Sequence, residues 1–128
     1  MNTVKNKNKI IIISSPSGAG KTTICKYLLK KMPNIDLSIS YTTRKKRITE
    51  IEGKDYYFIN QKKFMHLKKN NFFIETAKNF NNYYGSPYVN FNKKNNIKNN
   101  ILFDIDWQGA KKLRKQFKTD QILDFFIL

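Results

Sequence analysis

At 128 residues the chain has room for one domain, and a content of 40% hydrophobic and 14% aromatic residues excludes a wholly disordered polymer. A formal net charge of +16 would ordinarily point to nucleic acid or an acidic membrane. Lys, however, recurs with Asn and Ile in tracts such as "NKKNNIKNN", and all three have A/T-rich codons, which offers an explanation that needs no nucleic-acid partner.

Along the chain, the isoleucines at 10–13 have the length and β-branching of a strand buried on both faces. Lys5, Lys7 and Lys9 before them give a superficial signal-peptide appearance, but Ser14, Ser15 and Pro16 cut the apolar run short. No stretch approaches the roughly 20 apolar residues of a membrane span, so a cytoplasmic protein without a membrane partner is expected. Ile24, Tyr27, Leu28 and Met32 then repeat at helical spacing until Pro33. The single Cys25 falls in that helix, where a reduced, partly buried thiol is expected. Strands are predicted at 37–41, 56–59 and 72–77, with a helix at 61–69 that turns Phe64 and Leu67 inward. A second buried strand at 101–105 precedes Ala110, Leu113 and Phe117, spaced for an amphipathic helix, and an apolar run occupies 122–128. Alternating strands and helices favour an α/β fold with a parallel sheet. The expected organisation is one domain over 1–128, with a core at 1–35 and 96–128 and a smaller α/β lobe inserted at about 36–95.

Between the first strand and helix stands "SSPSGAGKTT", residues 14–23. In the phosphate-loop pattern G-x-x-x-x-G-K-[ST] it offers Ser15, Gly20, Lys21 and Thr22 at the fixed positions, departing only at Ser15. Gly18 and Gly20 let backbone amides turn toward phosphate oxygens, and the helix that follows adds its positive end. Residues Ser15, Pro16, Ser17, Gly18, Ala19, Gly20, Lys21 and Thr22 are therefore the candidate phosphate-binding set, although such a loop alone does not name the nucleotide. Lys21 would reach the β and γ phosphates, and the Thr22 hydroxyl would complete the shell of a Mg²⁺ ion. The alternative is an ordinary glycine turn with an exposed lysine.

Five further stretches, "SISYTTRKKR" (38–47), "GKDYYF" (53–58), "FFIETA" (72–77), "NNYYGSP" (81–87) and "DIDWQGA" (104–110), together closely resemble guanylate kinase, in the order and near the spacing of that family. The resemblance implies a P-loop nucleotide kinase fold with an inserted GMP-binding lobe, and Mg²⁺-dependent transfer of the ATP γ-phosphate to GMP. It assigns the acceptor phosphate to Arg44 and Arg47 with Ser40, Tyr56 and Tyr84. Two planar guanidinium groups and several hydroxyls suit a monophosphate dianion, although a solvated basic turn is the other reading of the arginines. Glu75 stands in an apolar strand, where an unpaired carboxylate is costly, and guanine presents the adjacent N1–H and N2–H donors that it could accept. The family match has Glu75 read the base, with Ser86 adding a hydrogen bond; an outward-facing carboxylate is the alternative. Asp104 and Asp106, two apart at the end of a strand, are expected to share a face. By resemblance they line the active site, leaving Lys21, Arg44, Arg47 and Asp106 as the catalytic set; simple strand termination is the alternative. His66 and Arg114 are assigned no catalytic role, and Trp107 is expected to pack at the start of its helix. Guanylate kinases continue past the strand matching "ILDFFIL" (122–128) into an arginine-bearing lid, whose loss would leave a catalytically weak GMP-binding remnant unless another chain supplied it.

Overall fold

The computed structural model describes residues 8–15, 21–88 and 99–126, with Lys21 and Thr22 described through their backbone alone. Four parallel strands form the core sheet in the order β2-β7-β1-β8, with β1 at Ile10–Ser14, β2 at Ile35–Leu37, β7 at Asn100–Asp104 and β8 at Ile122–Phe126. The isoleucine run explains why β1 is central. Successive side chains of a strand point to opposite faces, and here both faces are covered. Ile10 and Ile12 pack with Ile101, Phe103, Ala110 and Leu113 beneath helix α3 (Trp107–Arg114), while Ile11 and Ile13 pack with Leu102 and Cys25 beneath helix α1 (Lys21–Lys31).

The inward stripe of α1 differs from the one predicted. Tyr27 is 59% exposed, and Cys25 and Leu29 join Ile24, Leu28 and Met32 on the buried side. A tyrosine tolerates this position because its phenol can stay in water. At the other end of the sheet, the apolar run beginning at Ile122 forms a strand, as predicted, beside β1. Leu123, Phe125 and Phe126 remain substantially exposed on it.

The second sheet has the order β4-β3-β6-β5, with β3 at Tyr41–Thr42, β4 at Tyr57–Phe58, β5 at Phe73–Asn79 and β6 at Asn82–Pro87. The strand predicted at 37–41 is thus two strands in different sheets. Leu37 ends β2 in the core, and Tyr41 opens β3 in the lobe, so the passage between sheets lies a little beyond the expected boundary at 36. β6 was not predicted at all. It pairs antiparallel with β5 through a two-residue turn, with Asn79 opposite Asn82 and with Phe80 and Asn81 at φ 49° and 65°. Two positive φ values in succession match the right-handed twist of a hairpin.

Helix α2 (Gln61–Lys69) matches its predicted span and is capped by Asn60, whose Oδ1 accepts from the Lys63 amide at 2.8 Å. Such a cap contributes about 1 kcal/mol. Its Phe64, fully buried, stacks on Phe73 with ring centroids 4.7 Å apart. Phe73 in turn lies against Gly85, where a Cβ would come within 2.7 Å of the ring. The lobe is fixed to the core through β5. Ile74 joins the cluster beneath α3, the Lys112 ammonium donates to the Thr76 carbonyl, and the Gln116 amide donates to the Ile74 carbonyl.

Candidate functional site

Where the two sheets face each other, a cavity of about 510 Å³ is lined by Ser15, Ser40, Arg44, Arg47, Tyr56, Glu75, Tyr84, Asp104 and Asp106, among others. The fold explains the convergence. Ser15 follows the last residue of β1, Asp104 ends the neighbouring β7 in register with Ile13, and Asp106 opens α3. These are the carboxyl ends of adjacent parallel strands, where α/β sheets bind ligands. The lobe supplies the opposite wall from β5, β6 and the segment after β3.

At one end of the cavity, Glu75 is 7% exposed. Its Oε1 accepts from the Ser86 hydroxyl at 2.6 Å, and its buried Oε2 has no hydrogen-bond partner among the described residues. Burial pushes the Glu75 carboxyl up from its ordinary range, the Ser86 hydrogen bond opposes this, and the charge of Asp106 adds to it. A buried carboxylate oxygen without a donor costs free energy unless a ligand supplies one. Gly109 lies against the same oxygen, and a Cβ there would stand 2.7 Å from Oε2.

At the other end, the Arg44 guanidinium carbon sits 5.2 Å from the Tyr56 ring centroid and 5.9 Å from that of Phe58. Its Nη1 and Nη2 donate to the two carboxylate oxygens of Glu50 at 3.0 and 2.7 Å. That pairing holds Arg44 firmly protonated. Burial is also the main reason the Tyr56 phenol is raised above its usual range, which keeps it a proton donor. One end therefore offers acceptors and the other offers cations and phenols. Such a cavity suits a ligand with adjacent N–H donors at one end and an anion at the other.

A sequence model described as guanylate kinase matches residues 7–127. The chain belongs to the guanylate kinase family. It is 49% identical over 126 residues to a guanylate kinase of Rickettsia felis, covering 98% of this chain and 65% of that protein. A guanylate kinase of Agrobacterium fabrum is 42% identical over 126 residues, with 98% of this chain and 57% of that one covered. Among solved structures, a guanylate kinase from Anaplasma phagocytophilum matches with a TM-score of 0.79 at 37% identity, covering 95% of this chain and 60% of the other. The chain thus spans about three fifths of the length of these guanylate kinases.

Of the residues expected to form the site, the cavity gathers Ser15, Ser40, Arg44, Arg47, Tyr56, Glu75, Tyr84, Asp104 and Asp106. Ser86 stands one step back, fully buried, with its hydroxyl on Glu75. Pro16, Ser17, Gly18, Ala19 and Gly20 lie outside the described residues, as do the side chains of Lys21 and Thr22, whose backbone begins α1. Asp104 and Asp106 both open on the cavity, although β7 stops at Asp104 and Asp106 is the cap of α3, its Oδ1 accepting from the Gly109 amide at 2.9 Å. Trp107 does not pack as expected; it is 52% exposed. Arg114 pairs with Asp124 on β8 at 2.7 Å.

Several residues at the site lie outside the expected set, among them Ala77 and Ile105 in the cavity lining. Glu50 and Gly109 adjoin its two ends, and Asn79 and Phe80 bring the β5–β6 turn to its rim. An acid three residues after Arg47, and the glycine that follows Asp106 at the third helical position, are the sequence signals that could have found Glu50 and Gly109. Five of the nine acidic residues, Glu50, Asp55, Glu75, Asp104 and Asp106, line this cavity or the cleft that continues it. The lysines described from Lys26 onward are all exposed, and Lys26 and Lys54 reach the lining of that same cleft.

Proposed function

We propose that this chain carries the chemistry of a guanylate kinase, the transfer of the γ-phosphate of ATP to GMP to give ADP and GDP. The observation that carries the reading is the unpartnered, buried Oε2 of Glu75 in the same cavity as Arg44, Arg47, Tyr56 and Tyr84. A carboxylate with one oxygen held by Ser86 and one unsatisfied is complementary to the N1–H and N2–H edge of guanine. Adenine lacks that donor pair, and leaving a buried acceptor unpaired makes rejection strong. Arg44 and Arg47, with the Tyr56 and Tyr84 hydroxyls, would hold the GMP phosphate, itself already an anionic nucleophile. Ser15 and residues 16–22 would cradle the ATP phosphates, with Lys21 on the β and γ groups.

Mg²⁺ favours hard oxygen ligands and keeps several waters, and the carboxylate of Asp104 and the hydroxyl-bearing start of α1 at the ends of β7 and β1 fit that preference. Thr22 would hold the ion together with the nucleotide phosphates. Once bound, Mg²⁺ neutralises charge on the β and γ phosphates. On this reading Asp104 and Asp106 order water and substrate between the two nucleotides. The partners are then ATP and GMP in the cytoplasm, with no role for nucleic acid. Among the described residues no helix is long and apolar enough to cross a membrane.

Calorimetry with GMP and AMP, followed by a coupled assay of ADP release, tests the assignment. GMP is expected to bind and to stimulate ADP release from MgATP; equal responses to AMP would overturn the guanine reading. GMP binding without turnover would assign the binding function to this chain and withdraw the catalytic one.

The contact between Gly109 and Glu75 gives a second expectation. Gly109→Ala would force the Glu75 carboxylate away, since a Cβ would stand 2.7 Å from Oε2 and 3.2 Å from Cδ. GMP affinity should fall about 10-fold, in line with one lost charge-assisted hydrogen bond. The thermal midpoint should not fall with it, because alanine is the better helix former by roughly 1 kcal/mol. Titration and a melting scan of the same variant check both halves.

A further inference from the structure

Beyond the residues that meet the ligand, the structure assigns Glu50 the role of a positioning residue, which presents Arg44 and the Arg47 main chain together to the phosphate of the bound nucleotide. The inference rests on the proposed binding of GMP. Four hydrogen bonds carry it. Glu50 Oε1 and Oε2 accept from Arg44 Nη1 and Nη2 at 3.0 and 2.7 Å, a two-point pairing that fixes the plane of the guanidinium. Oε1 also accepts from the Arg47 amide at 2.7 Å, and the Glu50 amide donates back to the Arg47 carbonyl at 3.0 Å, closing the turn 47–50. The side chains of the pair are only 15% and 14% exposed, so the contact is shielded from the water that dissolves most surface ion pairs.

The pairing also sets which donors are left. Of the five N–H groups of a guanidinium, two go to Glu50 and one to the Lys45 carbonyl. The remaining donors face the Tyr84 and Tyr56 hydroxyls, and the guanidinium is kept over the Tyr56 ring by the same clamp, so that cation and phenols are presented together to an anion. Without Glu50, a long flexible side chain would have to be ordered at the moment of binding, at a cost in rotamer entropy. The neighbouring acids are engaged differently. Glu52 accepts from the Phe58 amide and Asp55 from the Ile51 amide, so both shape the loop.

The test compares GMP with guanosine, which keeps the base and lacks the phosphate, on the chain and its Glu50→Gln and Glu50→Asp variants. Glu50→Gln is expected to weaken GMP about 10-fold or more, leaving guanosine binding unchanged and lowering the melting temperature only by what the lost ion pair contributes; Glu50→Asp, which keeps the charge but shortens the reach, should fall between. Equal weakening of both ligands would mean a structural role and overturn the inference, as would unchanged GMP binding. If the parent chain binds neither ligand, the proposed function fails and this inference with it. GMP binding with an indifferent variant overturns this inference alone.

Discussion

Glu75→Gln should lower GMP affinity at least about 100-fold while leaving the chain folded, the scale expected when two charge-assisted hydrogen bonds to a base are lost together. The amide can still accept from the Ser86 hydroxyl through its oxygen, so the buried contact at 2.6 Å survives. Its nitrogen, however, turns a donor toward the guanine donors that Oε2 would have received. Titration calorimetry with GMP reads the loss, and an unaltered dissociation constant would refute the base-reading role.

The same variant should be more stable than its parent at neutral pH. Burial raises the folded-state value of the Glu75 carboxyl above the ordinary 4.5. Well below 4.5 the group is protonated in both folded and unfolded chains and does not distinguish them. As pH climbs, the unfolded chain ionises first and the folded chain lags, so stability declines up to the raised folded value and stays lower beyond it. Glutamine has no such decline. The difference in melting temperature between variant and parent should therefore widen from acid to neutral pH, and a constant difference would count against a strained, buried carboxylate.

Arg44→Ala should weaken GMP by about 100-fold or more, because it does two things at once. It removes a charged phosphate donor, and it leaves the Glu50 carboxylate unpaired and facing the incoming dianion. The signature is a reversal of sign. Glu50→Gln, expected to weaken binding in the parent, should improve it in the Arg44→Ala background, since the repulsion is then relieved while a glutamine oxygen can still accept from the Arg47 amide. Additive losses across this double-mutant cycle would show that the two residues act separately. Acid titration offers a second readout. The Arg44 hydrogen bond, chiefly, draws Glu50 from 4.5 down to about 2 in the folded chain. The stability contributed by that shift is present above 4.5 and is lost as pH falls toward 2. Arg44→Ala should flatten the parent's loss of stability over that interval.

The core sheet was legible because strands buried on both faces leave an uninterrupted apolar signature, as at 10–13 and 101–105. Glu75, Asp104 and Asp106 stand out as candidates for a related reason, being carboxylates placed against apolar strand sequence, whereas Arg44, Arg47, Tyr56 and Tyr84 are singled out by the family resemblance. What stayed hidden depends on partners distant in sequence. β6 carries Gly85 and Pro87, which read as turn residues, and its hairpin turn is Phe80-Asn81 in place of a glycine pair. Only the Phe73 ring lying over Gly85 reveals that this glycine is a packing position. Likewise, nothing local separates Ser38 to Ser40 from the strands on either side; the chain simply leaves one sheet for another there. Glu50, amid Arg44, Lys45, Lys46 and Arg47, resembles a counterion on a solvated turn until its two-point contact is seen.

The exposed lysines described above, two of which reach the cleft where carboxylates and arginines gather, bear on kinetics as well as on affinity. A positive exterior draws a nucleotide dianion inward by long-range attraction, which weakens as salt shortens the Debye length. Departure is governed by contacts at close range, among partly buried groups that salt screens much less. Ionic strength would then set mainly how often a nucleotide arrives, and the carboxylates and arginines of the cleft how long it stays.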